Sequence, residues 1–288
     1  MRFDARSDDR TARRFGDAAE PDPMTRIVHI SDLHFGREQP QLVDALAECI
    51  DAMAPDLVAA SGDLTQRARW HELRAAAAFL RRLPQPVLVV PGNHDIPGIT
   101  PERLLNPWRR WLHQFPGTLE PLIEDGRFIA LGANSVRSWG PYLDWSRGRL
   151  GRQQIDRLAA RIRQTPTDRL RILVAHHPLL LTAAGARRGL VGRHQIALRS
   201  FARAGLDLAL GGHVHRGYAG IAEGIVVAHA GTGVSNRLVG EPNGFNLISG
   251  DRRRLTVDHW QWTGDAFQPQ TSQAFARDEN GWRHAPGC

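Results

Sequence analysis

Five short stretches of the chain hold side chains that bind metal ions: Asp32-Leu33-His34, Gly62-Asp63, Gly92-Asn93-His94-Asp95, His176-His177-Pro178 and Gly212-His213-Val214-His215. Together they supply carboxylates, one carboxamide and several imidazoles, enough donors for two cations. Nitrogen and oxygen donors without thiolate suit Mn, Fe, Zn or Co and disfavour a soft-metal site. Two such ions side by side activate water and bind phosphate oxygens, so the pattern points to hydrolysis of a phosphate ester.

Taken singly, each stretch says little. Asp32 and His34 are two residues apart, which predicts one shared face of an extended segment. Asp63 follows Gly62, whose backbone turns freely, and its two oxygens make it the natural ligand to share between two ions. Asn93 offers a neutral carbonyl oxygen. His94 stands beside Asp95, and a carboxylate partner favours the protonated ring. His176 and His177 point to opposite sides by the period-two rule, so one of them is expected as a ligand. His213 and His215 again share a face.

The elements that must position these residues are read from apolar runs and their stops. Strands are expected at 26–30, 57–60, 87–90, 119–124, 127–132, 171–175 and 206–210, and helices at 41–53, 68–83, 101–115, 151–164 and 194–204. Apolar strands alternating with helices predict a largely parallel sheet covered on both faces. After Gly212 the pattern changes to short strands at 218–222, 225–230, 245–249 and 255–262, which suggests antiparallel pairing. The expected architecture is a two-sheet sandwich flanked by helices. The ligand stretches follow strand ends, where loops converge on one edge of a sheet. Residues 1–24 read as a disordered leader, with Met24 as an alternative start. The domain is expected over 25–267, and 268–288 as a loosely attached polar tail.

The chain has 288 residues and a formal charge of +7, carried by arginine with no lysine. Base composition explains that choice of cation, and no stripe of arginine interleaved with aromatics marks a nucleic-acid surface. No apolar run reaches the roughly 18 residues that a spanning helix needs. Cys49 and Cys288 form neither a disulfide framework nor a zinc knuckle. Cys49 is expected as a small core residue, and a reducing, cytoplasmic setting fits.

Taken together, the five stretches resemble the signature of the calcineurin-like metallophosphoesterases, in their bacterial cyclic-nucleotide phosphodiesterase-like branch. The resemblance runs from about Arg26 to Trp262, with every block intact. It implies an α/β (α+β) four-layer αββα sandwich of two mixed β-sheets. It also implies one metal held by Asp32, His34, Asp63 and His215, and a second by Asp63, Asn93, His176 and His213. His94 would contact the substrate phosphate or protonate the leaving oxygen, with Asp95 orienting it. Mn, or an Fe/Mn pair, is favoured.

The expected activity is hydrolysis of a small phosphodiester, with a 3′,5′-cyclic nucleotide as the best guess, by attack of a hydroxide held between the metals. A DNA-end exonuclease, a lipid-linked pyrophosphate hydrolase and a non-catalytic binding scaffold are the alternatives. Two carboxylates against two divalent ions leave the site positive, which attracts a phosphate anion. Substrate choice falls to nearby loops. Candidates are Asn134, Arg137, Trp139, Tyr142 and Trp145 after one strand, Arg187 or Arg188 after His176, and a polar loop with Ser235, Asn236, Arg237 and Asn243. His29 reads as buried and hydrogen-bonded, and His229 as an outer partner of the metal set. Trp108 and Trp111, beside Arg109 and Arg110, read as an inward-packed helix or an interfacial membrane face.

Overall fold

The computed structural model describes residues 24–139, 146–181 and 189–285. The first sheet is built on β1 (Thr25–Ile30), β2 (Leu57–Ala60) and β3 (Val87–Val89), which run parallel. Antiparallel strands β10 (Gly244–Gly250), β11 (Arg254–Trp262), β12 (Phe267–Asp278) and β13 (Gly281–His284) extend it on the other side of β1. The order is β13-β12-β11-β10-β1-β2-β3.

The second sheet contains β4 (Leu122–Glu124), β5 (Phe128–Ala133), β6 (Leu170–Ala175), β7 (Leu208–Gly211), β8 (Tyr218–Ala222) and β9 (Ile225–His229). Its order is β4-β5-β6-β7-β9-β8, parallel from β5 through β9 with an antiparallel strand at each edge.

Each central strand is apolar on both faces because each face has its own partner. Ile27, Leu57, Leu88, Ile172, Leu210 and Phe275 meet between the two sheets. Val28, Ile30, Val58 and Ala60 point the other way, onto α1 (Pro40–Met53) and α2 (Trp70–Arg82), where Leu42, Leu46, Ile50 and Phe79 are buried. Ile129, Leu131 and Leu173 likewise bury Ile155, Ile162 and Phe201 of α5 (Arg152–Gln164) and α6 (His194–Ala204). The result is the expected four layers of two mixed sheets flanked by helices.

Two expectations need correction. The helix expected over 101–115 is two short helices, α3 (Pro101–Leu105) and α4 (Arg109–Gln114). Pro107 lies between them, lacks an N–H and disfavours the helical conformation of Asn106 before it. Trp111 is buried and Trp108 packs against the same core, so neither forms a membrane face. Residues 268–284 are not a loose tail but form most of β12 and all of β13. Their polarity misleads because few positions are buried: Phe275 joins the core between the sheets, and the buried Trp282 donates its indole N–H to Asp207 Oδ1 at 3.2 Å. Residues 1–23 of the expected leader lie outside the described residues, as do Tyr142, Trp145, Arg187, Arg188 and Cys288.

Candidate metal centre

The loops after β1, β2, β3, β6 and β7 meet at one edge of the sandwich. Backbone bonds join them there: Asp32 N to Gly62 O at 3.0 Å, His34 N to Asp63 O at 3.0 Å, and Gly212 N to His176 O at 2.9 Å. The packing leaves no room for larger residues. A Cβ on Gly92 would lie 2.2 Å from both the backbone nitrogen and Oδ1 of Asp63.

Five of the nine described non-glycine residues with positive φ belong to the expected ligand set: Asp32, His34, Asp63, His213 and His215. Such conformations are costly and persist where the surroundings impose them. They also revise the reason for the pairing. Asp32/His34 and His213/His215 converge through left-handed turns beyond the strands, not by alternation along an extended segment.

The donors fall into two groups. Asp32, His34, Asp63 and His215 offer ligand atoms within 4.8 Å of one another, as do His176, His177 and His213, and all these residues are buried. Asp63 faces both groups. Its Oδ2 is 3.9 Å from His34 Nε2 and 3.4 Å from His176 Nε2, while its Oδ1 accepts the His94 backbone N–H at 2.8 Å. Asn93 Oδ1 is 3.3 Å from His176 Nε2.

The hydrogen bonds assign the tautomers. The Nδ1 atoms of His34, His176 and His215 lie against carbonyls of Thr65 (3.3 Å), Ser61 (2.8 Å) and Arg237 (2.7 Å). A carbonyl only accepts, so each Nδ1 carries a proton and Nε2 is the inward atom, which offers a lone pair to a metal when the ring is neutral. His34 Nε2 and His215 Nε2 are 3.3 Å apart. Two lone pairs at that distance repel unless a cation lies between them. Asp32 Oδ1 is buried without a hydrogen-bond donor, 3.2 Å from His215 Nε2. This donor set fits metal ions.

The charges agree. Burial opposes ionisation of Asp32 and Asp63, but the imidazoles of His215 and His176 prevail and hold both carboxyls well below their usual range. Burial likewise opposes a charged His176, yet Asp63 raises it to about 9. Protons therefore compete with metal for the same atoms.

His177 is spent elsewhere. Its Nδ1 is 2.8 Å from Ser135 Oγ and its Nε2 is 2.7 Å from Ser146 O. His29 is buried, with Nε2 2.9 Å from Ser61 Oγ and Nδ1 3.3 Å from Asn246 Nδ2. His229 Nδ1 is 3.3 Å from Gly212 O, in the loop that carries His213.

His94 and Asp95 are arranged differently from the expectation. Asp95 does not hold the His94 ring. Its carboxylate accepts Leu64 N, Thr65 N and Oγ1, and Gly92 N, which clamps the loops around Asp63 and Asn93. The His94 Nδ1–H donates instead to Gln66 O at 2.7 Å, and Arg237 donates an N–H to His94 Nε2 at 3.1 Å. Burial first, with a smaller effect of the Arg237 guanidinium, lowers the His94 pKa from its ordinary value against the pull of Asp63. The ring is neutral, not protonated. Its companion cation is Arg237, whose carbonyl also holds His215.

Arg237 was legible only as one member of a polar loop, because its partner His94 lies 143 residues away in the chain. The other substrate candidates lie farther from the metal ligands in role. Asn134 Oδ1 accepts Val136 N in a local turn, Arg137 O accepts from Arg103, Trp139 is exposed, and Asn236 N donates to Arg37 O. Asn93 and His94 are half-buried, so the centre opens on their side.

A model of the calcineurin-like phosphoesterases matches residues 25–217, and the chain belongs to that family. The family and the two donor groups together imply two metal ions. Among curated proteins, the chain resembles the glycerophosphodiester phosphodiesterase GpdQ of Enterobacter lignolyticus, at 35% identity over 80 residues. That match covers 24% of this chain and 29% of the relative, so it spans less than a third of the relative's length.

Solved structures share the fold. A purple acid phosphatase from yellow lupin (Lupinus luteus) seeds has a TM-score of 0.60 at 16% identity, covering 90% of this chain and 55% of that one. A dimetal phosphatase from Danio rerio gives 0.61 at 14% identity, covering 83% and 96%. GAP50, the anchor in the inner membrane complex of Plasmodium, gives 0.60 at 11% identity, covering 87% and 88%.

Proposed function

We propose that the chain is a metal-dependent phosphodiesterase that hydrolyses a small phosphodiester to a phosphomonoester and an alcohol. One observation carries this reading: a single carboxylate, Asp63, faces both donor groups, with the His94–Arg237 pair beside it. Asp32, His34, Asp63 and His215 would hold one ion, and Asp63, Asn93, His176 and His213 the other. Bound there, Mn, or an Fe/Mn pair, would supply a nucleophilic water at neutral pH and charge neutralisation of the phosphate. Asp95 keeps the loops of Asp63 and Asn93 together. Gln66 fixes the His94 ring, and the Arg237 guanidinium provides a permanent cation for a phosphate oxygen or the departing alkoxide.

Two substrate classes fit a small diester. A 3′,5′-cyclic nucleotide follows from the motif resemblance. An acyclic diester is favoured by the name of the GpdQ relative and by a cavity of about 470 Å³ that continues past Asn93 and His94. No described helix is long and apolar enough to cross a membrane.

The test is a panel assayed on protein reconstituted with Mn, Fe, Zn or Co. It comprises cyclic AMP, glycerophosphoglycerol, bis(p-nitrophenyl) phosphate, single- and double-stranded DNA, and a lipid-linked nucleotide pyrophosphate. Metal-dependent turnover of the small diesters is expected. No turnover with any metal, or a preference for DNA or the lipid, would overturn the proposal.

A further inference from the structure

The cavity beyond His94 has a charge pattern that the metal centre does not explain. Its wall includes Asn93 and His94 together with Arg67, Arg69, Arg103 and Arg110, and Ile96 and Pro97 as apolar members. Two of these arginines are already engaged. Arg103 donates to the carbonyls of Pro97, Arg137 and Ser138. Arg110 pairs with Glu102 and donates to Ala68 O.

The other two are not committed in the same way. The Arg67 side chain is exposed and has no ion-pair partner among the described residues. Arg69, 55% exposed, reaches only within 4.0 Å of Glu72. Two available guanidinium groups therefore stand over a cavity that begins at the expected reacting centre.

Their position is fixed by the same loop that carries Asp63. Thr65 Oγ1 accepts Ala68 N at 3.1 Å, and Glu72 Oε2 accepts the backbone N–H groups of Arg67 and Arg69 at 2.8 and 3.2 Å. Asp95 ties Leu64 and Thr65 to the loop of Asn93. The arginine stems thus start from a clamped backbone whose Gln66 carbonyl also holds the His94 ring.

Resting on the phosphodiesterase reading, we propose that this cavity binds the alcohol side of the substrate and that the substrate is an acyclic phosphodiester whose alcohol carries a second phosphate group. Arg67 and Arg69 bind that second phosphate, while Ile96 and Pro97 cover the carbon skeleton between the two. Water adds to the diester phosphorus, the P–O bond to this alcohol breaks, and the alcohol leaves with one proton, still bearing its phosphate. A cyclic nucleotide, with one phosphorus and no separate alcohol, leaves Arg67 and Arg69 unused.

The experiment compares glycerophosphoglycerol with glycerophosphoglycerol phosphate on the metal-loaded full chain. Two solvent-screened cations acting on an added phosphate correspond to roughly tenfold in kcat/KM at low salt, carried by KM and shrinking as ionic strength rises. In the double variant Arg67→Gln/Arg69→Gln the ratio between the two substrates should collapse toward one, and Arg67→Lys/Arg69→Lys should restore most of it. Calorimetric binding of glycerol bisphosphate against glycerol phosphate reads the same preference without turnover. Equal kcat/KM for the two diesters, an unchanged ratio in the glutamine variant, or a preference for an oligonucleotide over both would overturn the second-phosphate subsite. Failure of every diester with every metal would instead strike the phosphodiesterase reading, and the calorimetric comparison would still decide the subsite.

Discussion

Arg237 carries two separable roles, and one substitution divides them. Its backbone carbonyl accepts the His215 Nδ1–H, whereas its guanidinium donates to His94 Nε2 at 3.1 Å. Arg237→Met keeps the carbonyl and removes the cation, so metal binding should persist while turnover falls. A guanidinium within about 4 Å of a phosphate oxygen interacts by ~4 kcal/mol at an effective dielectric constant of 20. Arg237 is half-buried, and solvent screening reduces this to about 2–3 kcal/mol, or roughly a hundredfold in kcat/KM. The assay pairs steady-state kinetics on a small diester with metal analysis by mass spectrometry. Arg237→Lys, which keeps a charge but not the planar fork, should recover part of the loss. A methionine variant with full metal and kcat/KM within roughly threefold of the parent would refute the catalytic role of the cation. Loss of metal in that variant would refute the separation of the two roles.

Three further outcomes are expected. Asp63→Ala removes a carboxylate that faces both donor groups, so both metals should weaken; retention of one at full occupancy in metal analysis would exclude the shared ligand. Asp95→Asn replaces one acceptor oxygen by an NH2 group among four N–H and O–H donors, which should cost about 2 kcal/mol in urea unfolding; unchanged stability would show that the clamp is unimportant. Burial lowers the His259 pKa to about 4, so the unfolded chain takes up a proton that the folded one refuses as pH falls from about 6.5 toward 4. His259→Gln should therefore lose ~1 kcal/mol less stability than the parent between pH 7.5 and 5.5 by urea unfolding; equal losses would count against a neutral buried imidazole there.

The legible parts of the fold were those where burial is two-sided or strictly periodic. The apolar run of β2 (Leu57–Ala60) and the helical periodicity of α6 (His194–Ala204) match the expected spans. The strand β12 was hidden because it lies near the open edge of its sheet and buries few of its residues, so polar composition outweighed the anchors Phe275 and Trp282. The break between α3 and α4 was visible in Pro107 but outweighed by the flanking apolar residues.

At the site, residue types and strand-end spacing were enough to indicate a metal centre for phosphate chemistry, because few other combinations of carboxylate, carboxamide and imidazole serve. The sequence alone determined which side chains are available and the order in which the loops deliver them. It did not determine which nitrogen of each ring faces inward, that Asp95 clamps backbone instead of His94, or that Arg237 is the cation on His94. Those outcomes depend on carbonyls, N–H groups and a guanidinium brought together mostly across 22 to 143 residues of chain. Hydrogen bonds between distant loops leave no periodic trace in the sequence, so only the packed sandwich decided them.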